Sequence, residues 1–161
     1  MGRRCRRLCD RRRQIRGGKM KMMLKVKQIE GLALAAFADS KHWVTMGAPE
    51  HLGGFGAGTR PMELVLIGIA GCATMDILAI LKKKRVNLQG FDLAVEAERA
   101  DEHPQVFKEI HFHYTFIGKD IKSGDVDRAI RLTDEKYCGA TAMIKPTVKV
   151  SYDYVIKEGA D

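Results

Sequence analysis

The chain has 161 residues, enough for one domain with a real core and short for two. Its formal charge of +8 is carried entirely by residues 1–19, which hold eight Arg, Lys19 and Asp10. The charge-balanced remainder argues against a phosphate-binding surface there, and two body cysteines, Cys72 and Cys138, are too few for a disulfide scaffold.

The opening stretch "MGRRCRRLCDRRRQIRGGKM" has no apolar periodicity and is read as a disordered or incidental extension. Met20, Met22 and Met23 are alternative starts, and a polybasic arm is the sharper functional reading. It lacks the 7–15-residue apolar stretch of a signal peptide, as well as Ser, unlike transit peptides. Cys5 and Cys9 have no neighbours at zinc spacing. Residues 20–161 are then expected to form a single domain.

"MLKVKQIEG" (23–31), "LALAAFAD" (32–39) and "HWVTMG" (42–47) predict three short antiparallel strands. "APEHLGGFGAGTRP" (48–61) is a Gly-rich loop with no Gly-Lys-Ser/Thr, hence not a phosphate loop. Pro61 starts a long helix to about Lys84, with Glu63 at its positive end and "KKKR" at its negative end. Its residues 62–81 are apolar nearly all round, which predicts burial on most sides, with a partner subunit covering what one chain cannot. The longest uncharged run near Cys72, "LVLIGIAGCATM", has 12 residues where a membrane span needs about 20, so no span is expected and a soluble cytoplasmic protein is.

"FDLAVEAER" (91–99) and "VFKEIHFHYTFIG" (106–118) predict a hairpin, with Ile110, Phe112, Tyr114 and Phe116 on one face of the second strand. Ser123 is placed as the cap of a helix over 124–137, whose Val126, Ile130, Thr133 and Tyr137 share a face. A turn around "CGATAMIKP" leads to a final strand, "TVKVSYDYVI" (147–156). The class is α+β: three strands, the buried helix, two strands, helical segments and a last strand.

His111 and His113, two apart on one strand, have a usable metal spacing, but without a third ligand they read as a solvated strand face, and no metal site is assigned. His42, His51 and His103 are isolated. Met62 and Met75 read as core filling. Asp76, four residues after Cys72, shares its helix face, and a carboxylate there would raise a thiol pKa. Cys72 alone reads as a small buried residue, but Gly68, Ala70, Gly71 and Ala73 leave room beside its sulfur, and Cys138 lies before Gly139, just past a helix. The residues alone leave packing thiols and a working pair both open.

"TRPMELVLIGIAGCATM", the hairpin with "HPQVFKEIHFHYTF" and "DEKYCGATAMI" together resemble the OsmC-like family, which includes the organic hydroperoxide resistance proteins. The resemblance covers about residues 24–156. It implies an intertwined homodimer whose strands wrap the long central apolar helix, and a thiol-dependent peroxidase reducing organic or fatty-acid hydroperoxides in oxidative stress defence. By that carry-over Cys72 is the peroxidatic thiol and Cys138 the resolving one, regenerated by a dithiol reductant, with no cofactor. Two departures stand out. The peroxidases carry Glu directly after the helix-starting Pro, where this chain has Met62, and Glu63 lies about 900° of helical rotation from Cys72, on the opposite face. They also supply an Arg from the N-terminal region, yet residues 20–59 contain none. Arg60 is nearest, but about 18 Å away along the helix, within reach of a thiolate only across the dimer or through a bend, so Arg60 or Lys41 is expected to act from a partner subunit. The other reading is a non-catalytic dimeric binding protein with an apolar interface pocket, its cysteines structural or redox-sensing. Neither reading involves a membrane or nucleic acid.

Overall fold

The structure is a computed structural model that describes residues 22–160, so the basic 1–19 extension lies outside the described residues. The chain forms two compact units, divided between Pro61 and Met62. The class is α+β, and the elements follow the predicted order.

The N-terminal unit is an antiparallel sheet of β1 (Leu24–Glu30), β2 (Ala33–Ala38) and β3 (Trp43–Met46), in that order. Cross-strand partners Phe37 and Trp43 set their rings 5.0 Å apart at a 42° tilt. Gly58, in the loop that follows, packs so closely that a Cβ on it would lie 2.6 Å from the Thr45 carbonyl, which explains that glycine without a ligand.

The second unit opens with α1 (Pro61–Lys83). Arg85 at its end takes a left-handed conformation (φ 58°). The Val86 N–H then reaches the Leu81 carbonyl (3.1 Å) and the Arg85 N–H the Lys82 carbonyl (3.0 Å), a Schellman closure. Leu81, 1% exposed, has Val86 packed against its cluster, the apolar contact that accompanies this closure.

Within one chain α1 is buried on one side only, which leaves the rest of its apolar surface to the partner expected from sequence. One stripe at fourfold spacing, Ile69, Ala73, Ile77 and Leu81, is buried, while Val65, Ile67 and Met75 are 46, 57 and 68% exposed. The expectation of no membrane-length segment is corrected: by length and composition alone α1 is long and apolar enough to cross a bilayer. The uncharged run ends at Glu63 and Asp76, whereas the helix continues apolar beyond Asp76 to Leu81. Three of the four stripe residues belong to the main core cluster, which marks α1 as a core helix.

The stripe packs with a sheet of β4 (Leu88–Arg99), β5 (Phe107–Gly118) and β6 (Lys149–Glu158), ordered β4-β5-β6. β4 and β5 are antiparallel and β6 runs parallel to β5 after a crossover. β5 alternates strictly: Ile110, Phe112, Tyr114 and Phe116 are buried, while His111, His113 and Thr115 are half-buried on the other face.

The crossover carries α2 (Ser123–Leu132), a π-helical turn (Thr133–Tyr137) and α3 (Gly139–Ile144). Three expectations change here. Ser123 is the first helical residue rather than the cap, and Lys122 precedes it with no side-chain cap bond. The 124–137 helix ends in a wider turn, in which the Cys138 N–H bonds the Thr133 carbonyl (2.9 Å). The extra residue per turn rotates Tyr137 out to 52% exposure while Val126, Ile130 and Thr133 stay buried. The segment after Cys138 is a short helix instead of a turn.

Candidate active site at two thiols

α1 brings Cys72 to the core side of the helix, half-buried, one residue before buried Ala73. Asp76 stands one turn further on. The π-turn delivers Cys138, 2% exposed, at the N-cap of α3. A Cys72 sulfur, an Asp76 carboxylate oxygen and the Cys138 sulfur all lie within 4.8 Å of one another. Residues 66 positions apart in sequence thus meet, and Asp76 is third to the pair.

Both sulfurs receive donors from the first turn of α3. The Thr141 N–H (3.4 Å) and hydroxyl (3.1 Å) donate to Cys138 Sγ. The Ala140 backbone N–H donates to Cys72; it is the largest influence on that thiol and lowers its pKa. Burial, the hydrogen bond and charge of Cys138, and the Asp76 charge together outweigh it, so Cys72 is pushed above its ordinary value. Cys72 lies mid-helix, where its own helix has no free N–H groups to offer, and α3, expected as a turn, lends one across space. The signal available was Cys138-Gly139 followed by Thr141, a helix start with a sulfur in the capping position.

Beside the thiols, Tyr114 is held neutral: burial first, then the charges of Cys138 and Asp134, push its phenol well above the usual tyrosine range. Ala73, Phe112, Tyr114, Ile130 and Val150, with the polar Thr133, Asp134, Thr141 and Tyr152, line a cavity with room for about one water. Arg60, exposed, closes the N-terminal unit directly before α1, and Lys41 lies in the β2–β3 turn of that unit.

The family model described as "OsmC-like protein" matches residues 54–153. Protein YhfA of Escherichia coli K12 is 32% identical over 136 residues, covering 84% of this chain and 98% of its own. The chain belongs to the OsmC-like family. A hypothetical protein from Aquifex aeolicus, solved by crystallography, is 25% identical with a TM-score of 0.78, over 88% of this chain and all of its own. An organic hydroperoxide resistance protein from Legionella pneumophila shares the fold, with a TM-score of 0.63 at 18% identity, over 84% of this chain and 96% of its own.

Chemically, two sulfurs and a carboxylate allow either a thiol–disulfide couple or a soft metal site. His111 and His113 form a second group, away from the thiol face. No third partner for them is apparent in sequence, but β6 brings one: Asp153 accepts from His111 Nε2 (3.1 Å) and His113 Nδ1 (3.0 Å). With Asp153 62% exposed and the imidazoles 28% and 37%, the group stays on a solvated strand face while its members pair with one another.

Proposed function

We propose that this OsmC-like protein is a thiol-dependent peroxidase that reduces organic hydroperoxides, fatty-acid hydroperoxides included, in cytoplasmic oxidative stress defence. The observation that carries the reading is the meeting of Cys72 and Cys138 within 4.8 Å, under donors from one short helix.

The Cys72 thiolate attacks the distal peroxide oxygen; the O–O bond breaks, the alkoxide leaves and takes a proton, and Cys72 becomes a sulfenic acid. The Cys138 sulfur then attacks the Cys72 sulfur, forming a disulfide and releasing water. A dithiol reopens the bond, is itself oxidised to a disulfide, and restores both thiols. The apolar side chains of α1 around Cys72 favour a peroxide with a hydrocarbon body over hydrogen peroxide.

The exposed Val65, Ile67 and Met75 support a second copy of the chain against α1, as in an intertwined homodimer. Arg60 or Lys41 of the partner subunit is then the cation that offsets Asp76. Consumption of cumene hydroperoxide with a dithiol reductant tests the reading: turnover supports it, and none in the parent protein overturns it. The second reading, a non-catalytic dimeric binding protein with an apolar interface pocket, draws on the raised Cys72 thiol, which would be slow as a nucleophile.

Two outcomes follow. Removing the Asp76 charge in Asp76→Asn removes one influence that raises Cys72. The thiol then ionises at lower pH, and the alkaline-rising limb of the peroxide rate moves toward acid. Because nucleophilicity falls with pKa, each tenfold gain in thiolate is expected to raise the neutral-pH rate only about threefold. Thr141→Val deletes the hydroxyl donor to Cys138 while keeping the N–H. Disulfide formation, followed by thiol loss after rapid quench, is expected to slow about five- to tenfold, the worth of one such bond, with the initial peroxide reduction unchanged.

A further inference from the structure

β5 and β6 pair in parallel with His111 opposite Ser151 and His113 opposite Asp153. Every second residue of a strand faces the same way, so all four side chains share the sheet face turned away from Ile110, Phe112 and Tyr114. The three potential donors, one atom each from His111, His113 and Asp153, lie within 4.8 Å of one another. The imidazole rings are 4.2 Å apart, centre to centre.

We propose that His111, His113 and Asp153 bind a divalent transition-metal ion of the zinc class, at a three-ligand site on the sheet face remote from the thiols. Two imidazole nitrogens and one carboxylate suit zinc and its first-row neighbours rather than calcium or magnesium. Three protein ligands leave a fourth position open for water or a ligand.

The outer contacts fit this ligation. Ser151 Oγ lies 2.7 Å from His111 Nδ1, which fixes the ring and aims Nε2 at the common point. His113 faces Asp153 through Nδ1, 3.0 and 3.1 Å from the two carboxylate oxygens. Its Nε2 is buried without a hydrogen-bond partner, and the nearest carboxylate oxygen, of Glu96 on β4, is 3.8 Å away. If neutral His113 donates Nδ1–H to Asp153, a buried lone pair at Nε2 points toward an anion. A metal on Nδ1 moves that proton to Nε2, where it points to Glu96. This is the carboxylate–histidine–metal arrangement in which an outer carboxylate orients the ligand.

Solvated histidine–aspartate pairing is the plain alternative, and metal binding separates the two. The full chain carrying Cys72→Ser and Cys138→Ser, which removes the thiols of the Cys72–Asp76–Cys138 group, is dialysed to equilibrium against micromolar zinc. One zinc per chain is expected. Asp153→Asn, which preserves shape, and His113→Ala are each expected to weaken retention by at least about 100-fold, and Glu96→Gln by about tenfold as an outer-shell change. No zinc retained by the double variant, or equal retention after Asp153→Asn and His113→Ala, overturns the site.

Discussion

Cys72→Ser is expected to lower dithiol-dependent reduction of cumene hydroperoxide by about a thousandfold or more, since the hydroxyl has neither the nucleophilicity nor the redox chemistry of the sulfur it replaces. Cys138→Ser is expected to behave differently. Its Cys72 still reduces one equivalent of peroxide, because the first step needs no second sulfur, but the sulfenic acid then has no internal partner. A single-turnover burst followed by slow turnover is therefore the expected trace, measured as alcohol formed over time. Peroxidase activity that survives Cys72→Ser would remove the proposed chemistry from this site. A multiple-turnover rate unchanged in Cys138→Ser would remove Cys138 from it.

Phe116→Ala is expected to have the largest effect on folding. Phe116 is fully buried between β4 and β6, its ring 5.3 Å from that of Phe91 and 6.1 Å from that of Tyr154. Truncation loses the transfer free energy of the ring and leaves a cavity that the sheet cannot close, at about 3–5 kcal/mol. Urea denaturation should show this as a lower midpoint at unchanged slope. Val155→Ala on β6, half in water, should change stability by less than about 0.5 kcal/mol. A Phe116→Ala loss under about 1 kcal/mol would contradict the packing described.

Much of this fold was legible because its elements obey one period each. Alternation in "VFKEIHFHYTFIG" picked out the buried face of β5, and Pro61 with the terminal lysines marked both ends of α1 within a residue or so. The register of β6 was not legible. A parallel strand arriving after a crossover has no turn to fix its partner residues, so Asp153 could not be placed beside His111 and His113 from sequence. The π-turn was invisible for a related reason, since one inserted residue leaves the apolar spacing of α2 nearly intact while turning Tyr137 outward.

At the thiols, the 66-residue separation gave no hint of contact by itself; the resemblance named the pair, and the fold brings the sulfurs together. The donors were the larger omission. α3 has six residues, too few for a periodic signal, yet its first turn supplies the Ala140 N–H and both Thr141 donors. The one influence that lowers the Cys72 pKa is thus a backbone N–H, which no residue type announces.

The most direct measurement is the product balance of the reduced protein with one equivalent of cumene hydroperoxide and no reductant. The expected result is one equivalent of cumyl alcohol, loss of two titratable thiols, and an intact mass lower by two hydrogens, with a peptide linking Cys72 to Cys138. Retention of both thiols with the peroxide unconsumed would contradict a Cys72–Cys138 peroxidase.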